Sequence, residues 1–246
     1  MKLTSIKKLE GTIALKSGLH IGAGDMDMHI GGTDSTVIKH PHTLEPYIPG
    51  SSLKGKVRSL LEMASGLVAA PGNNGGLVTV ETWKKADNPE FKARAEAILK
   101  IFGSSGGEDT DITGFGPTRV SFSDCYLDKD WQAVAKTNRY AFTEVKSENK
   151  INRISGTADH PRFIERVPEG TRFGFLITFK VLQNGDERLF DEYLLKGLKM
   201  LELDAVGGSG SRGYGRIKFV DRFLLDGKDI LPEFDAMDPF VDNDKP

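Results

Sequence analysis

The sequence predicts an α+β fold, a βαββαβ core carrying inserts, and three observations lead to it. Four stretches alternate apolar and polar residues, the period of a strand with one buried face. Three longer segments repeat apolar residues every three to four positions, the period of a helix with one buried side. Once the middle helix and a polar arm are set aside as inserts, the order is strand, helix, strand, strand, helix, strand. That order approximates the ferredoxin-like plan, built as a single domain over residues 1–246.

Leu9, Gly11, Ile13 and Leu15 alternate with polar neighbours as the first strand. Gly22 to Thr36, rich in Gly and Asp, is a loop. Ser51 or Ser52 caps the first helix, whose Leu53, Val57, Leu60, Leu61 and Ala64 share one face. An insert over 65–117 follows. It holds a loop from Ser65 to Gly76, a helix opening at Asn88-Pro89 and a glycine-rich connection from Gly103 to Pro117. Proline is tolerated in that helix's first turn, and Phe91, Ala95, Ile98, Leu99 and Phe102 form its apolar face. Val120 and Phe122 mark the second strand. Residues 137–170 are polar, mixed in charge and without helical period, with a turn-like centre at Gly156–Pro161: an extended hairpin arm projecting from the body. Phe173, Phe175, Ile177, Phe179 and Val181 alternate as a core strand. A helix over Asp186–Leu203 turns Leu189, Tyr193, Leu194, Leu198 and Leu201 inward, and Ile217, Phe219 and Phe223 mark the last strand. An acidic tail, 226–246, closes the chain.

Composition bounds the function classes. With 246 residues, 38% hydrophobic and 28% charged, the chain has the makeup of a globular protein. No apolar run approaches the roughly 20 residues of a bilayer span, so no membrane partner is expected. No apolar signal segment follows Met1-Lys2-Leu3-Thr4, and a single cysteine, Cys125, forbids an internal disulfide; a reducing, cytoplasmic setting is expected. The net charge of −2 is uneven: the tail holds seven acids and two lysines, net −5, which leaves +3 on residues 1–225. A mildly basic body permits phosphate binding on one face without demanding it.

Two glycine-flanked basic motifs stand out. In Gly50-Ser51-Ser52-Leu53-Lys54-Gly55-Lys56-Val57-Arg58, the residues Gly50, Gly55 and Lys56 have P-loop spacing. Val57, however, occupies the position where Ser or Thr must hold magnesium, and no Walker-type aspartate follows, which argues against an NTPase. Ser51 and Ser52 lie at a helix N-terminus, where free N–H groups and the dipole attract an anion, and Lys54 and Arg58 share a face four residues apart. That pair suits consecutive phosphates; the ordinary alternative is a solvated basic helix face. In Gly207-Gly208-Ser209-Gly210-Ser211-Arg212-Gly213-Tyr214-Gly215-Arg216, three glycines match G-x-G-x-x-G, but a helix precedes and a strand follows, the reverse of a dinucleotide site. Five glycines in nine residues let the backbone approach something closely, and Arg212 and Arg216 add charge for phosphate.

The remaining polar candidates are single residues. Asp34, in Gly31-Gly32-Thr33-Asp34-Ser35, offers a carboxylate for a divalent cation or for a ribose hydroxyl proton; its ordinary reading is a turn aspartate. His20, at a strand end in Gly18-Leu19-His20-Ile21-Gly22, is a second candidate, with a satisfied structural histidine as the alternative. His40 and His42 flank Pro41 without zinc spacing, Cys125 is isolated, and no motif pairs a nucleophile with a base.

Taken together these strings resemble the RAMP superfamily of CRISPR proteins, and within it the Cas-seven family backbone subunit of type III-A (Csm) effector complexes. The resemblance is carried by Gly18–Gly22, Asp34-Ser35 with Val37-Ile38-Lys39, Ile48–Lys56 and Thr143–Lys146 with Glu148-Asn149. Ile164-Glu165-Arg166 and the highly specific Leu201–Gly215 complete it, in order along nearly the whole chain. The segment from Gly66 to Gly116 and the acidic tail carry little of it. The resemblance implies an RRM-like body with a projecting thumb, here the arm around Lys146 to Arg166, in copies stacked head-to-tail along a CRISPR guide RNA beside other Csm-complex subunits. Ser51, Lys54, Arg58 and the loop Gly208-Ser209-Gly210-Ser211-Arg212 would contact guide phosphates, and His20 would lie near the guide. Asp34 matches the catalytic aspartate for target RNA cleavage dependent on a divalent cation, Mg2+ being the ion expected. Two alternatives keep the architecture: a structural guide-binding subunit without chemistry, and a metal-independent guide-processing endonuclease using His20 as acid–base.

Overall fold

The computed structural model describes residues 1–24, 33–70, 73, 75–104 and 114–241. It contains strand β1 (Ser5–Leu15), helices α1 (Gly50–Ala64), α2 (Val80–Lys85) and α3 (Pro89–Phe102), strand β2 (Val120–Phe122) and helix α4 (Lys129–Thr137). Strands β3 (Glu144–Ile151), β4 (Ala158–Arg166) and β5 (Arg172–Val181) precede helices α5 (Asp186–Leu189) and α6 (Lys196–Leu203). Strands β6 (Ile217–Leu225) and β7 (Lys228–Asp229) and helix α7 (Leu231–Asp235) end the described chain. The fold is mixed α+β, as expected from the apolar periods. A five-stranded sheet of order β2-β5-β1-β6-β7 is antiparallel throughout, and β3 and β4 pair in a separate two-stranded sheet.

One face of the large sheet is covered. Leu9, Ile13, Phe173, Phe175, Ile177, Phe179, Phe219 and Phe223 pack there against Leu53, Val57 and Leu61 of α1 and Leu198 and Leu201 of α6. Each such side chain contributes about 1.5–3 kcal/mol by leaving water. Gly197 sets how closely the two helices approach: a Cβ there would lie 2.8 Å from Val57 Cγ1 and 2.9 Å from Leu61 Cδ1. Asn88 caps α3 as its position before Pro89 predicts, its side chain accepting from the Glu90 N–H at 2.8 Å.

Several details depart from expectation. Helix α1 starts at Gly50 with Pro49 at its cap, and no side chain caps it, so Ser51 and Ser52 are first-turn residues rather than caps. Its Ala64 is exposed. Helices α2 and α4 were not foreseen; Thr79 and Asp128 cap them. The arm is a hairpin, but its turn falls at Asn152–Thr157, closed by Asn152 N–H to Thr157 O at 2.9 Å, and Pro161 lies within β4. The long helix from Asp186 is wound as π-helix over Phe190–Leu195 between α5 and α6. The start of the acidic tail is folded: Phe234 is fully buried, and Asp235 pairs with Lys218 at 3.0 Å. Residues 242–246 of that tail, and 25–32 and 105–113 of the predicted loops, lie outside the described residues. No helix among the described residues is long and apolar enough to cross a membrane.

Cys125 is buried, and burial, with the charge of Asp124 second, pushes its thiol up to about 12. The native protein should therefore resist alkylation by iodoacetamide at pH 8 and take up one equivalent in guanidinium. Fast labelling of the native protein would contradict the burial.

Antiparallel pairing sets the geography of the site. Ala14 pairs with Arg172 and Leu15 with Ile217, so β1 ends where β5 and β6 begin. The exit of β2 runs to the same place, through Gly174 N–H to Tyr126 O and Asp128 N–H to Arg172 O, both 2.9 Å. Helix α1 begins beside it, the Gly50 N–H donating to Asp124 Oδ1 at 2.8 Å. Three connecting segments, after β1, after β2 and before β6, therefore meet the start of α1 at one end of the sheet.

Candidate nucleic-acid interface

The centre of this end is the continuation of β1. Leu19 exchanges backbone hydrogen bonds with Val167 at 2.9 and 2.7 Å, the Gly215 N–H donates to Gly18 O at 2.9 Å, and the Gly208 N–H donates to His20 O at 2.9 Å. The glycine loop thus lies on one side of residues 18–20 and the base of the arm on the other. Glycine is required here. Gly207 (φ +76°) would drive a Cβ into the His20 carbonyl, and Gly215 (φ +71°) would drive one into the Val206 carbonyl. What these two glycines approach closely is the protein's own backbone, not a ligand, which corrects part of the reading from composition. Gly213 (φ +81°) has open space beside it, and Ser211 and Arg212 are exposed.

His20, Ser35 and Glu165 form a partly buried hinge between this strand end and the arm. The His20 Nδ1–H donates to the Glu165 carbonyl at 2.6 Å, so a neutral ring presents Nε2 as acceptor for the Ser35 hydroxyl at 3.1 Å. Both ring nitrogens are engaged within the chain, the arrangement of a satisfied structural histidine. The Glu165 carboxylate takes Lys39 Nζ at 2.6 Å and the Val37 N–H at 2.9 Å. Burial raises its pKa, but these bonds and one from the Thr143 hydroxyl outweigh burial and leave it below the usual carboxylate range. Asp34 is tied to β4 in both directions: its N–H donates to Phe163 O at 2.9 Å, and its Oδ2 accepts from the Phe163 N–H at 2.7 Å. Its side chain is exposed. The glycines at 31 and 32 before it lie outside the described residues.

A second set of contacts joins the arm to the glycine loop. The Glu148 carboxylate accepts from the Tyr214 hydroxyl and from Arg212 Nη1, each at 2.8 Å. The Tyr214 hydrogen bond chiefly, with Arg212 and Lys146, holds Glu148 below its ordinary pKa. Lys146 Nζ lies 4.6 Å from the Tyr214 ring centroid and the Arg166 guanidinium 5.2 Å from it, so two cations lie over one aromatic ring. Glu148, Tyr214 and Glu165 carry no local sequence signal as partners. Tyr214 and Glu148 are 66 residues apart, and only the folded arm brings them together.

The predicted phosphate face of α1 is divided. Ser51 is exposed at the helix start and Lys54 half-buried. Burial, with Arg58 second, lowers the Lys54 pKa, and no described residue pairs with Lys54. Lys56 bonds Asp204 at 2.7 Å, three residues before Gly207, and ties this helix to the glycine loop. Arg58 does not belong to the set. Its Nε bonds Glu62 Oε1 at 2.8 Å, its Nη1 the Gly103 carbonyl at 3.0 Å and its Nη2 the Val78 carbonyl at 2.7 Å. The pair is buried, 14% and 4% exposed. Arg58 fastens the insert to α1, with all three of its nitrogens bonded within the chain. His20, Asp34 and Gly208–Arg212 are thus brought together, Ser51 and Lys54 stand at the same end of the sheet, and Arg58 is engaged by Glu62 and the insert.

Among the described residues no group of three His, Cys, Asp or Glu side chains is placed to hold a metal ion. Asp34 offers an exposed carboxylate with one oxygen bonded to the Phe163 N–H. That fits a Mg2+ ion that keeps its waters and takes its other ligands from substrate phosphates, rather than a protein-built cage.

The family model of the RAMP superfamily matches residues 12–218. A relative from Methanocaldococcus jannaschii named CRISPR system Cms endoribonuclease Csm3 is 39% identical over 88% of this chain and 79% of its own length. One of the same name from Enterococcus italicus is 37% identical over 93% and 95%. The solved Csm3 of Methanopyrus kandleri matches with a TM-score of 0.59 and 27% identity, over 89% of this chain and 76% of that one. A chain of the Csm3–Csm4 subcomplex of the type III-A CRISPR–Cas interference complex matches at 0.52 and 28%, over 90% and 78%. The chain belongs to the RAMP superfamily and, within it, to the Csm3 family.

Proposed function

We propose that the chain is a backbone subunit of a type III-A CRISPR interference complex that holds guide RNA and cleaves the paired target RNA. One observation carries this beyond the family membership: His20, Asp34, the glycine loop and the base of the arm converge at one end of the sheet. There Ser51, Lys54, Ser209, Ser211 and Arg212 offer donors and charge for a sugar–phosphate chain, which suits a guide of any sequence. The finer fold reading is the ferredoxin-like, RRM-like plan in a single domain, supported by core strands lying second–third–first–fourth across the sheet. The hairpin within residues 137–170 is the thumb, its tip residue Ile154 99% exposed. Copies stack head-to-tail on the guide beside other Csm-complex subunits, in the cytoplasm.

In the reaction the thumb would force one nucleotide out of the stack and expose the neighbouring phosphodiester to the Asp34 carboxylate, which is fixed to β4 through Phe163. Asp34 would hold a divalent cation, which would supply charge neutralisation at the scissile group. The Ser35–His20–Glu165 hinge holds Asp34 in register with the arm. With both its nitrogens engaged, His20 positions rather than transfers protons, which disfavours a metal-independent reading.

The binding face is tested by salt. Log affinity for single-stranded RNA falls with log salt by about 0.7 per neutralised phosphate, so Lys54→Ala with Arg212→Ala should lower the slope by roughly 1.4. The loss should be the same for unrelated RNA sequences. An unchanged slope by fluorescence anisotropy would remove these two residues from the interface.

A further inference from the structure

We propose that His40, His42, Tyr47 and Tyr126 form a stacking platform for an unpaired RNA base, next to the phosphate-binding face. This deepens the reading above and rests on it. The rings run in a row: His42 to His40 at 5.5 Å between centroids, His40 to Tyr126 at 5.8 Å, and Tyr126 to Tyr47 at 5.7 Å with 33° between planes. Two elements hold them. A tight turn closed by the Lys39–Pro46 bridge and by Leu44 N–H to His40 O at 2.8 Å carries the histidines and Tyr47, while Tyr126 lies on the exit of β2.

Unlike the phenylalanines of the core, these rings reach the surface, His40 and Tyr47 being half-buried. Tyr126 is 52% exposed and His42 is exposed. Contiguous exposed apolar surface rimmed by polar residues marks interaction sites. Its place in the chain is also informative: residues 34–39 run from Asp34 to His40, about 20 Å when extended. The platform also adjoins the first turn of α1.

The acids nearest it are engaged within the chain. Asp124 is bonded to the Gly50 N–H at 2.8 Å. Glu45 takes Gln132 at 2.6 Å and Lys136 at 3.3 Å, and Lys39 holds Glu165. Burial chiefly, with Asp124 and Tyr126, raises the Tyr47 pKa, so its phenol stays protonated at neutral pH. The ligand class is a base of any identity, because every base offers a π-face.

The test uses the full chain and a six-nucleotide RNA carrying 2-aminopurine at each position in turn. The wild type should quench the fluorophore at one position. Tyr126→Ala should abolish that quenching and bind about tenfold more weakly at an unchanged salt slope, and Tyr126→Phe should retain both. Lys54→Ala with Arg212→Ala should lower the slope yet keep the quenching. Tyr126→Ala that quenches and binds like the wild type overturns the platform while leaving the RNA-binding reading intact. Tyr126→Ala that alters only self-association in sedimentation overturns it in favour of a contact between copies. Absence of any RNA binding by the wild type overturns both readings.

Discussion

Asp34→Asn is expected to stop target-RNA cutting by the assembled complex while guide RNA stays bound. The substitution is nearly isosteric, and its amide oxygen can still accept from the Phe163 N–H that Asp34 Oδ2 takes at 2.7 Å. Position and fold are therefore retained, and what disappears is a full negative charge facing solvent. A carboxylate that anchors a cation or receives a proton is worth on the order of 10²–10⁴ in rate. The loss should show in single-turnover cleavage with Mg2+, at full guide occupancy and an unchanged sedimentation profile. A variant that cuts at the wild-type rate would place the chemistry on another residue. Since no described cluster of ligands holds an ion without RNA, calorimetry of the RNA-free chain with Mg2+ should show no tight site.

Arg58→Ala is expected to act on stability, where the sequence pattern points to RNA. Removing the guanidinium leaves Glu62, 4% exposed, with the Val78 N–H at 3.1 Å as its remaining described partner. Breaking one side of a buried ion pair costs about 3–5 kcal/mol. The Gly103 and Val78 carbonyls lose their donor as well. Chemical denaturation should show this loss, whereas Lys54→Ala, away from such a network, should stay within about 0.5 kcal/mol. The salt slope of RNA binding should separate the two in the opposite sense, falling for Lys54→Ala and holding for the folded fraction of Arg58→Ala. An Arg58→Ala protein of wild-type stability with a lower slope would return Arg58 to the interface.

These two residues mark the boundary of what local pattern conveys. Lys54 and Arg58 are four apart on one helix, and the sequence places them on a shared face. Which part of that face meets water depends on Val78 and Gly103, 20 and 45 residues further on, in an insert whose glycines and polar residues have no helical period of their own. The same holds for the glycine loop. Its composition announces a backbone that must pass close to something, but that the neighbour is His20, nearly two hundred residues earlier, follows from β1 and β6 pairing side by side. The aromatic row is a third case, since Tyr47 and Tyr126 carry no pattern together until the exit of β2 runs past the turn after residue 39.

By itself the sequence determined the α+β class, the core strands and most of the helices that cover them. It also determined the projecting arm and, through strings such as Gly18–Gly22 and Leu201–Gly215, the family. Periods of two and of three to four residues are local consequences of burying one face, and they survive without any knowledge of neighbours. Only the tertiary structure decided that His20 turns both nitrogens inward, that Arg58 is a buried fastener, and that Glu148 joins arm to loop. The physical reason is that a charge or ring acts through what lies within about 4–6 Å of it, and in an antiparallel sheet those neighbours come from distant parts of the chain.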